Sequence, residues 1–332
     1  MRTIPGIDQD TEIGASVPLD SIPPTDDQVV CTLFEGDFHY GVAALANSLI
    51  RGGFRGLIWA GFRGELPPWT TNLRKLSNGL FDVGGAILGF EEIETHKHFT
   101  QFKPEFMATL FRKGLARKNL WYFDPDITVR CSWSFFEQWV EYGVALCQDI
   151  TMGSMPFNHP IRCKWMQVAR AAGWDDPPSD QQRYYNGGFV GLTVDRLSFL
   201  TIWQRALELA YSHGVPPDVL KKGRRELPFN TPDQDALNIA TMYSDVPLSA
   251  IGPEGMGFVP GGFTMYHSLG SAKPWRKNFL RYALQGIPPS NGDKHYLACA
   301  GGPLHPYTAA RLRILRAQAA VATAIGRFYR KN

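Results

Sequence analysis

The chain has 332 residues, of which 44% are hydrophobic and 20% charged, and its formal net charge is +3. This length accommodates one large domain or two small ones with a sizeable core, and the charge is too small to indicate a nucleic-acid partner. Five scattered cysteines without CxxC spacing favour reduced thiols over a disulfide framework or a zinc site. These features are typical of an ordinary cytosolic globular protein.

The first residues, MRTIPGIDQD, lack the apolar stretch of a signal peptide. No part of the chain approaches the roughly 18 apolar residues that a spanning helix needs. We therefore expect a cytoplasmic protein, with peripheral attachment to the inner face of a membrane left open. Residues 1–27 combine acidic residues and prolines with few large apolar side chains, which predicts a flexible N-terminal arm.

From residue 28 the pattern alternates between strand and helix. VVCTLF (29–34) predicts a buried parallel strand, 40–49 a helix and GLIWAGF (56–62) a second strand. Later predicted elements are a helix at 103–118, a central strand at 119–123, a helix at 133–147, a strand with a glycine break at 183–194, and helices at about 195–212 and 232–243. The βαβ order predicts an α/β fold with helices packed on a parallel sheet.

The Asp124-Pro125-Asp126 turn follows the apolar strand NLWYF. Two carboxylates at this spacing can both reach one hard cation, and ligands gather at the carboxyl ends of parallel strands. The alternative is a solvated turn, because Asp and Pro are common turn residues. The turn alone leaves both interpretations open.

A second candidate is HSLGSAKPW at 267–275. His267 can donate an imidazole nitrogen to a metal, Gly270 allows the backbone to approach a phosphate, and Lys273 can meet a phosphate as a point charge. The alternative is a surface loop with a packed tryptophan. A lone histidine would favour that loop, whereas the complete spacing favours metal and phosphate binding.

Two weaker candidates are Asn186 in the segment YNGG (185–188) and the pair Asp233-Gln234. Asn and Asp side chains suit sugar hydroxyls, and glycines let a ligand lie against the backbone. An NGG segment is also a common turn, and Asp-Gln after Thr-Pro can serve only to start a helix. Thr231 and Pro232 are good residues for that start.

Together and in this order, these residues resemble the GT-A fold glycosyltransferases, most closely glycosyltransferase family 8, which includes glycogenin and lipopolysaccharide galactosyltransferases. The resemblance is a pattern of motifs from about residue 29 to residue 278. Its segments are CTLFEGDFHYGVAALANSL (31–49), similar to the opening strand, nucleotide loop and first helix; WYFDPDITV (121–129), similar to the strand with its DxD motif; YYNGGFVGL (184–192); DQDALN (233–238); and HSLGSAKPW (267–275). The last segment matches the family's HxxGxxKPW motif at every fixed position and is the most specific.

The resemblance implies an architecture and a set of roles. The architecture is one GT-A catalytic domain at 28–300, Rossmann-like, with a mixed, mostly parallel sheet flanked by helices, and a C-terminal amphipathic basic helix at 301–332. A divalent cation, Mn²⁺ or Mg²⁺, would be held by Asp124, Asp126 and His267. The donor would be bound by Leu33, Phe34, Tyr40, Lys103, Asp124, Gly270 and Lys273. Asn186 and Asp233 would hold the donor sugar, with Gln234 near its anomeric carbon.

The implied activity is transfer of a hexose from a nucleoside diphosphate sugar, UDP-glucose or UDP-galactose, to a hydroxyl acceptor with retention of configuration. The acceptor, which can be a saccharide, a lipid-linked glycan, a protein or a small molecule, stays open. So do two other functions, a catalytically silent nucleotide-sugar-binding protein and a nucleotide-sugar hydrolase or pyrophosphorylase. The bulky run Phe38-His39-Tyr40 departs from the family's smaller nucleotide loop.

The segment 308–331 predicts a basic amphipathic helix. The apolar residues expected on one face are Ile314, Leu315, Val321, Ile325, Phe328 and Tyr329, and the arginines expected opposite them are Arg313, Arg316, Arg327 and Arg330. Such a helix can dock on the domain or lie on an anionic membrane. The basic loop at 221–225 is interpreted as a solvated loop.

Overall fold

A mixed sheet of nine strands forms the centre of the molecule, as seen in a computed structural model that describes residues 27–77, 79–221, 227–270 and 272–329. The predicted arm at 1–26, residues 222–225 of the basic loop, Ser271 and residues 330–332 lie outside the described residues. The strands of the whole fold are β1 (Gln28–Glu35), β2 (Leu57–Arg63), β3 (Arg74–Ser77), β4 (Leu80–Asp82), β5 (Ile87–Glu92), β6 (Asn119–Phe123), β7 (Ile127–Val129), β8 (Val144–Gln148), β9 (Tyr185–Thr193), β10 (Leu248–Ile251) and β11 (Met265–His267).

The strand order in the sheet is β10-β8-β9-β6-β1-β2-β5-β4-β3. Strands β6, β1, β2 and β5 run parallel to one another, as do β8 and β10. Strand β9 lies antiparallel between β6 and β8, and β4 lies antiparallel between β5 and β3. Strands β7 and β11 form a separate antiparallel pair. The predicted mixed, mostly parallel sheet is therefore confirmed.

Helices cover both faces of the sheet. They are α1 (His39–Arg51), α2 (Phe99–Arg112), α3 (Trp133–Trp139), α4 (Pro160–Ala171), α5 (Ser198–Ser212), α6 (Pro232–Tyr243), α7 (Phe279–Leu284), α8 (Asn291–Cys299) and α9 (Ala309–Phe328). One core cluster joins the sheet to α2, α4, α5 and α6, and a second joins its other face to α1 and α3. Two apolar layers around one sheet make a single α/β domain.

A third apolar cluster attaches the C-terminal helices to this domain. It packs α7, α8 and α9 around Ala44 of α1. The Asn47 side chain of α1 donates to the carbonyl oxygens of Cys299 and Leu304 and accepts from the Leu304 N–H. These bonds connect α1, which starts at the nucleotide loop of the resemblance, directly to the chain that precedes α9.

Two predicted elements are corrected by the structure. The predicted helix at 133–147 ends at Trp139, and Val144–Gln148 is strand β8. A side chain at Gly143 would collide with the backbone of Pro247, and the β-rich residues that follow pair with β9 and β10. The predicted glycine break at 183–194 is absent from the structure, because β9 runs without interruption from Tyr185 to Thr193.

The last helix, α9, docks through only part of the predicted apolar face, which includes the buried Leu315 and the partly buried Ile325. Its buried residues are Leu312, Leu315, Ala319 and Ala322, whereas Ile314, Val321 and Phe328 of the predicted apolar face are exposed. The sequence periodicity predicts apolar residues over a wide surface of this helix. Only one side of that surface is buried against α7 and α8. Among the described residues no helix combines the length and the apolar character needed to cross a membrane.

Candidate active site

The polar residues of the candidate site gather at one edge of the sheet. Strands β1, β6 and β8 end at this edge, and the antiparallel β9 begins there. The carboxyl ends of parallel strands are where α/β proteins bind ligands. Asp124 follows β6, Asp149 follows β8, and Asn186 is the second residue of β9. The Asp124 N–H donates to the Gly188 carbonyl at 2.7 Å and so connects the β6 turn to β9.

Asp124, Asp126 and His267 lie together, as the resemblance implied. Antiparallel pairing of β7 with β11 puts His267 opposite Ile127, immediately after the Asp-Pro-Asp turn. His267 Nε2 is 3.2 Å from Asp126 Oδ1 and 3.8 Å from Asp124 Oδ2. One ligand atom from each residue lies within 4.8 Å of the others. Two carboxylates and one imidazole fit Mn²⁺ or Mg²⁺, so these residues are suited to hold a divalent cation.

Two lysines neighbour these carboxylates. Lys273 Nζ is 2.5 Å from Asp126 Oδ2 and donates to the Ser268 carbonyl at 2.9 Å. Lys103 Nζ is buried, 3.0 Å from Asp124 Oδ1 and 3.5 Å from Asp233 Oδ2. Each Asp of the turn therefore already has a cationic partner that a phosphate could also engage.

Burial and charge act in opposite directions on the pKa values of this site. Burial alone would lower the pKa of Lys103, but Asp124 and Asp233 outweigh it and raise that pKa above its ordinary value. Burial alone would raise the pKa of Asp126, but His267 and Lys273 hold it well below its usual range. Burial raises the pKa of Asp233, and Lys103 only partly offsets this rise. Asp126 is therefore an anion at any physiological pH, ready to bind a cation.

Asn186, Asp233 and Gln234 form a second polar group beside the turn. Helix α6 begins at Pro232, so Asp233 and Gln234 occupy its first turn and face β9. Gln234 Oε1 accepts from the Gly187 N–H at 3.1 Å. Among the described residues, the buried atoms Asp233 Oδ1 and His267 Nδ1 have no hydrogen-bond partner. Buried polar atoms are rarely left unpaired, so these two atoms are candidates for hydrogen bonds to a ligand.

Gly188 makes room for this arrangement. A Cβ added there would be 2.6 Å from His267 Cε1 and 2.9 Å from Asp124 Oδ2, both closer than atoms can pack. A Cβ on Gly187 would meet its nearest atom, Asp233 Oδ2, at 3.3 Å. Of the two glycines, Gly188 is therefore the one that the cation ligands require.

The start of α6 depends on an aspartate rather than on the predicted cap. Thr231 precedes the helix, but its side chain makes no capping hydrogen bond. Asp235 Oδ2 accepts instead from the N–H groups of Asn230 and Thr231, and Asp235 Oδ1 accepts from the Tyr184 hydroxyl at 2.7 Å. Asp235 thereby holds the turn that carries Asp233 and Gln234.

The predicted nucleotide-binding residues occupy different environments. Leu33 and Phe34 are 3% and 2% exposed and belong to the core clusters on opposite faces of the sheet. Their backbone, rather than their side chains, adjoins the site. The Tyr40 ring stacks on Tyr307 at 4.9 Å between ring centroids. Gly270 follows β11 in an exposed turn with φ +88°, a conformation that glycine adopts most easily.

Phe38 lies beside the charged part of the site. Its ring is 5.3 Å from Trp275 and 6.0 Å from Lys273 Nζ. The Arg276 guanidinium lies 5.2 Å from the same ring and forms an ion pair with Asp37. The loop after β1 thus contacts the segment from Lys273 to Arg276 through Asp37 and Phe38.

Asp149 is a site residue that the sequence interpretation missed. Its buried Oδ2 accepts from Asn186 Nδ2 at 2.5 Å and orients that amide. The available signal was a short β-rich apolar run, VALCQ, followed by an aspartate. Because the sequence pattern predicts a helix over 133–147, the end of the strand before Asp149 was not recognised.

No protein-family model and no curated protein matches the chain. Many solved structures are similar to it, among them two glycosyltransferases. The WbbM bifunctional glycosyltransferase covers 89% of this chain with a TM-score of 0.53 and 17% identity, and the chain spans 53%, about half, of the WbbM chain. The galactosyltransferase LgtC, solved with donor and acceptor sugar analogues, covers 86% of this chain, with 99% of LgtC matched, a TM-score of 0.50 and 13% identity. At these identities the similarity establishes the fold, and the chain has the GT-A fold.

Proposed function

We propose that the chain is a divalent-metal-dependent glycosyltransferase that moves a hexose from a nucleoside diphosphate sugar to a hydroxyl acceptor. The observation that carries this proposal is the convergence of Asp124 and Asp126 of one turn with His267 from the distant strand β11, with one ligand atom of each within 4.8 Å of the others. Lys103 and Lys273 flank them as phosphate partners. The names of the two similar structures, a bifunctional glycosyltransferase and a galactosyltransferase, support the same reaction class.

The cation, Mn²⁺ or Mg²⁺, would be held by the Asp124 and Asp126 carboxylates and by His267 Nε2. When bound, it would supply positive charge that offsets the charge developing on the leaving diphosphate. Lys273 and the backbone at Gly270 would bind the same diphosphate and stabilise it further. The exposed, positive-φ turn at Gly270 lets a phosphate approach the backbone closely.

The donor sugar would lie over Asn186, Asp233 and Gln234. Asp149 orients the Asn186 amide, and the unpaired Asp233 Oδ1 would accept from a sugar hydroxyl. Lys103, buried between Asp124 and Asp233, would stabilise both carboxylates and contact the phosphate nearest the sugar. Gln234 would lie beside the anomeric carbon. Rigid placement of donor and acceptor hydroxyl supplies much of the rate in such transfers.

Retention of configuration by front-face transfer is the stereochemical part of this proposal, and UDP-glucose and UDP-galactose are the proposed donors. Both rest on the family resemblance of the motifs. The anomeric configuration of the product, measured by NMR, would test the stereochemistry. An inverted product would exclude front-face transfer.

The decisive experiment is release of nucleoside diphosphate from a panel of UDP- and GDP-sugars, with Mn²⁺ or with EDTA and without acceptor. We expect metal-dependent release from one donor and a loss of about 100-fold or more in Asp126→Asn, with an unchanged thermal transition. Asp82→Asn, on β4 far from the site in strand order, is the matched control. Near-normal release by Asp126→Asn would contradict the metal role. Donor binding without turnover would favour the silent binding protein.

A further inference from the structure

The outward face of α9 is a continuous apolar stripe. Its members recur at the spacing of one helix face, about 100° per residue. They are Ala310, Ile314, Ala317, Val321, Ala324 and Phe328, all exposed. The three large side chains are 50%, 54% and 92% exposed for Ile314, Val321 and Phe328 respectively. The helix is therefore apolar on both its docked face and its free face.

Two further large apolar side chains are exposed near the C-terminal end of α7. Gly326 lies against Pro288, close enough that a Cβ on Gly326 would be 2.3 Å from the Pro288 Cβ. On the chain that leads to Pro288, Leu284 and Ile287 are 69% and 52% exposed. Gly326 and Phe328 lie on nearly opposite sides of α9, so Leu284 and Ile287 form a separate exposed group, and the stripe itself is the contiguous apolar surface. Surface apolar residues are unremarkable singly, but contiguous ones mark a binding surface.

The charges around this stripe have one sign. Arg313 and Arg327 flank it on one side and Arg311 on the other, and all three are exposed. Helix α9 contains no acidic residue. After Glu254 the sequence contains a single acidic residue, Asp293, and its carboxylate is buried and paired with Lys277. No acidic side chain of this segment therefore offsets the arginines beside the stripe.

We propose that α9 binds the surface of an anionic phospholipid bilayer, with the apolar stripe inserted at the interface and the arginines on the lipid phosphates. An apolar helix face bordered by cations is the arrangement by which helices lie in a membrane interface. The negative potential of such a membrane attracts these arginines. The docked face, Leu312, Leu315, Ala319 and Ala322, keeps the helix on the protein during this contact.

The test is co-sedimentation of the purified full chain with vesicles of phosphatidylcholine alone and vesicles that also contain phosphatidylglycerol. We expect binding to the anionic vesicles only, weakened by salt. Val321→Asp/Phe328→Asp should lose at least ten-fold in binding, and the triple variant Arg311→Gln/Arg313→Gln/Arg327→Gln should lose a similar factor. Tyr142→Asp, an equally exposed aromatic site at the turn after α3, is the matched control and should bind normally.

Each other outcome overturns the proposal. Equal binding to neutral and anionic vesicles would remove the role of the arginines. Absence of vesicle binding, together with a dimer in sedimentation velocity that Val321→Asp/Phe328→Asp dissociates, would assign the stripe to a second copy of the chain. Unchanged thermal transitions confirm that the exposed substitutions leave the fold intact. The vesicle assay needs no donor or acceptor, so its result is independent of the proposed transfer reaction.

Discussion

Lys273 Nζ lies 2.5 Å from Asp126 Oδ2, across 147 positions of the chain. This ion pair joins the HxxGxxKPW segment to the DxD turn, and it places a positive charge on a carboxylate that is suited to hold a divalent cation. A cation bound there would compete with Lys273 for the negative charge of Asp126, and a bound diphosphate would engage the lysine instead. We therefore expect a substitution of Lys273 to change the affinity for Mn²⁺ and the affinity for a nucleoside diphosphate in opposite directions.

We expect Lys273→Met to bind Mn²⁺ alone several-fold more tightly than the wild type, because the competing cation is gone. The same variant should bind the nucleoside diphosphate in the presence of Mn²⁺ about ten-fold more weakly, equivalent to one lost charged hydrogen bond of about 1.4 kcal/mol. Isothermal titration calorimetry measures both affinities. Lys294→Met, exposed on α8, serves as the control. A parallel fall in both affinities would show that Lys273 supports the cation rather than competing with it.

Gly188→Ala should abolish metal-dependent donor hydrolysis, because its Cβ would need space already filled by His267 and Asp124. Gly187→Ala is the control, since the atom nearest to its Cβ would be Asp233 Oδ2 at 3.3 Å, and the next nearest atoms would be at 3.7 Å, an ordinary contact distance. We expect a loss of at least about 100-fold for the first variant and less than about ten-fold for the second. Mn²⁺ binding, followed by electron paramagnetic resonance, should fall only in Gly188→Ala. Equal activities of the two variants would refute this assignment.

Asp235 makes stability depend on pH. Burial raises its pKa to about 7, against an ordinary value near 4 in the unfolded chain. Between these values the folded protein binds more protons than the unfolded chain, so the free energy of unfolding falls as pH rises from about 4 to about 7. At about 1.4 kcal/mol per pKa unit, this contribution is at most about 4 kcal/mol.

Asp235→Asn should remove that part of the pH dependence, since the amide oxygen can accept from Asn230 and Thr231 and its NH₂ can donate to the Tyr184 hydroxyl. Urea denaturation of both proteins at several pH values measures the difference. We expect the wild type to lose stability relative to Asp235→Asn as pH rises to 7. A difference that stays constant with pH would mean that the three hydrogen bonds keep Asp235 ionised throughout.

Phe38 and Tyr40 can be distinguished as partners of the nucleobase. The Tyr40 ring is stacked on Tyr307, whereas the Phe38 ring lies between Trp275 and two cationic side chains. We expect Phe38→Ala to weaken nucleoside diphosphate binding by about 1–3 kcal/mol, the usual contribution of base stacking. Tyr40→Ala should mainly lower the melting temperature. The opposite pattern would assign the base to Tyr40.

The sequence by itself predicted the candidate site residues and the central strands. Alternation of apolar runs and turns located β1, β2 and β6, because buried parallel strands leave a short, strong local pattern. The fixed spacing in HSLGSAKPW indicated His267 and Lys273 before their partners were known. Asp124 and Asp126 stood out because they follow a buried strand.

Only the tertiary structure decided which distant residues meet. The Asn186 contact with Asp149 depends on β8, whose pattern was obscured by the apolar aromatic residues of α3. The position of Lys103 between Asp124 and Asp233 depends on how α2 packs on the sheet. Helix α9 is apolar on two sides, and contact with α7 and α8 buries one of them. Local periodicity reports how apolar a face is, whereas the elements packed against it determine whether that face is buried.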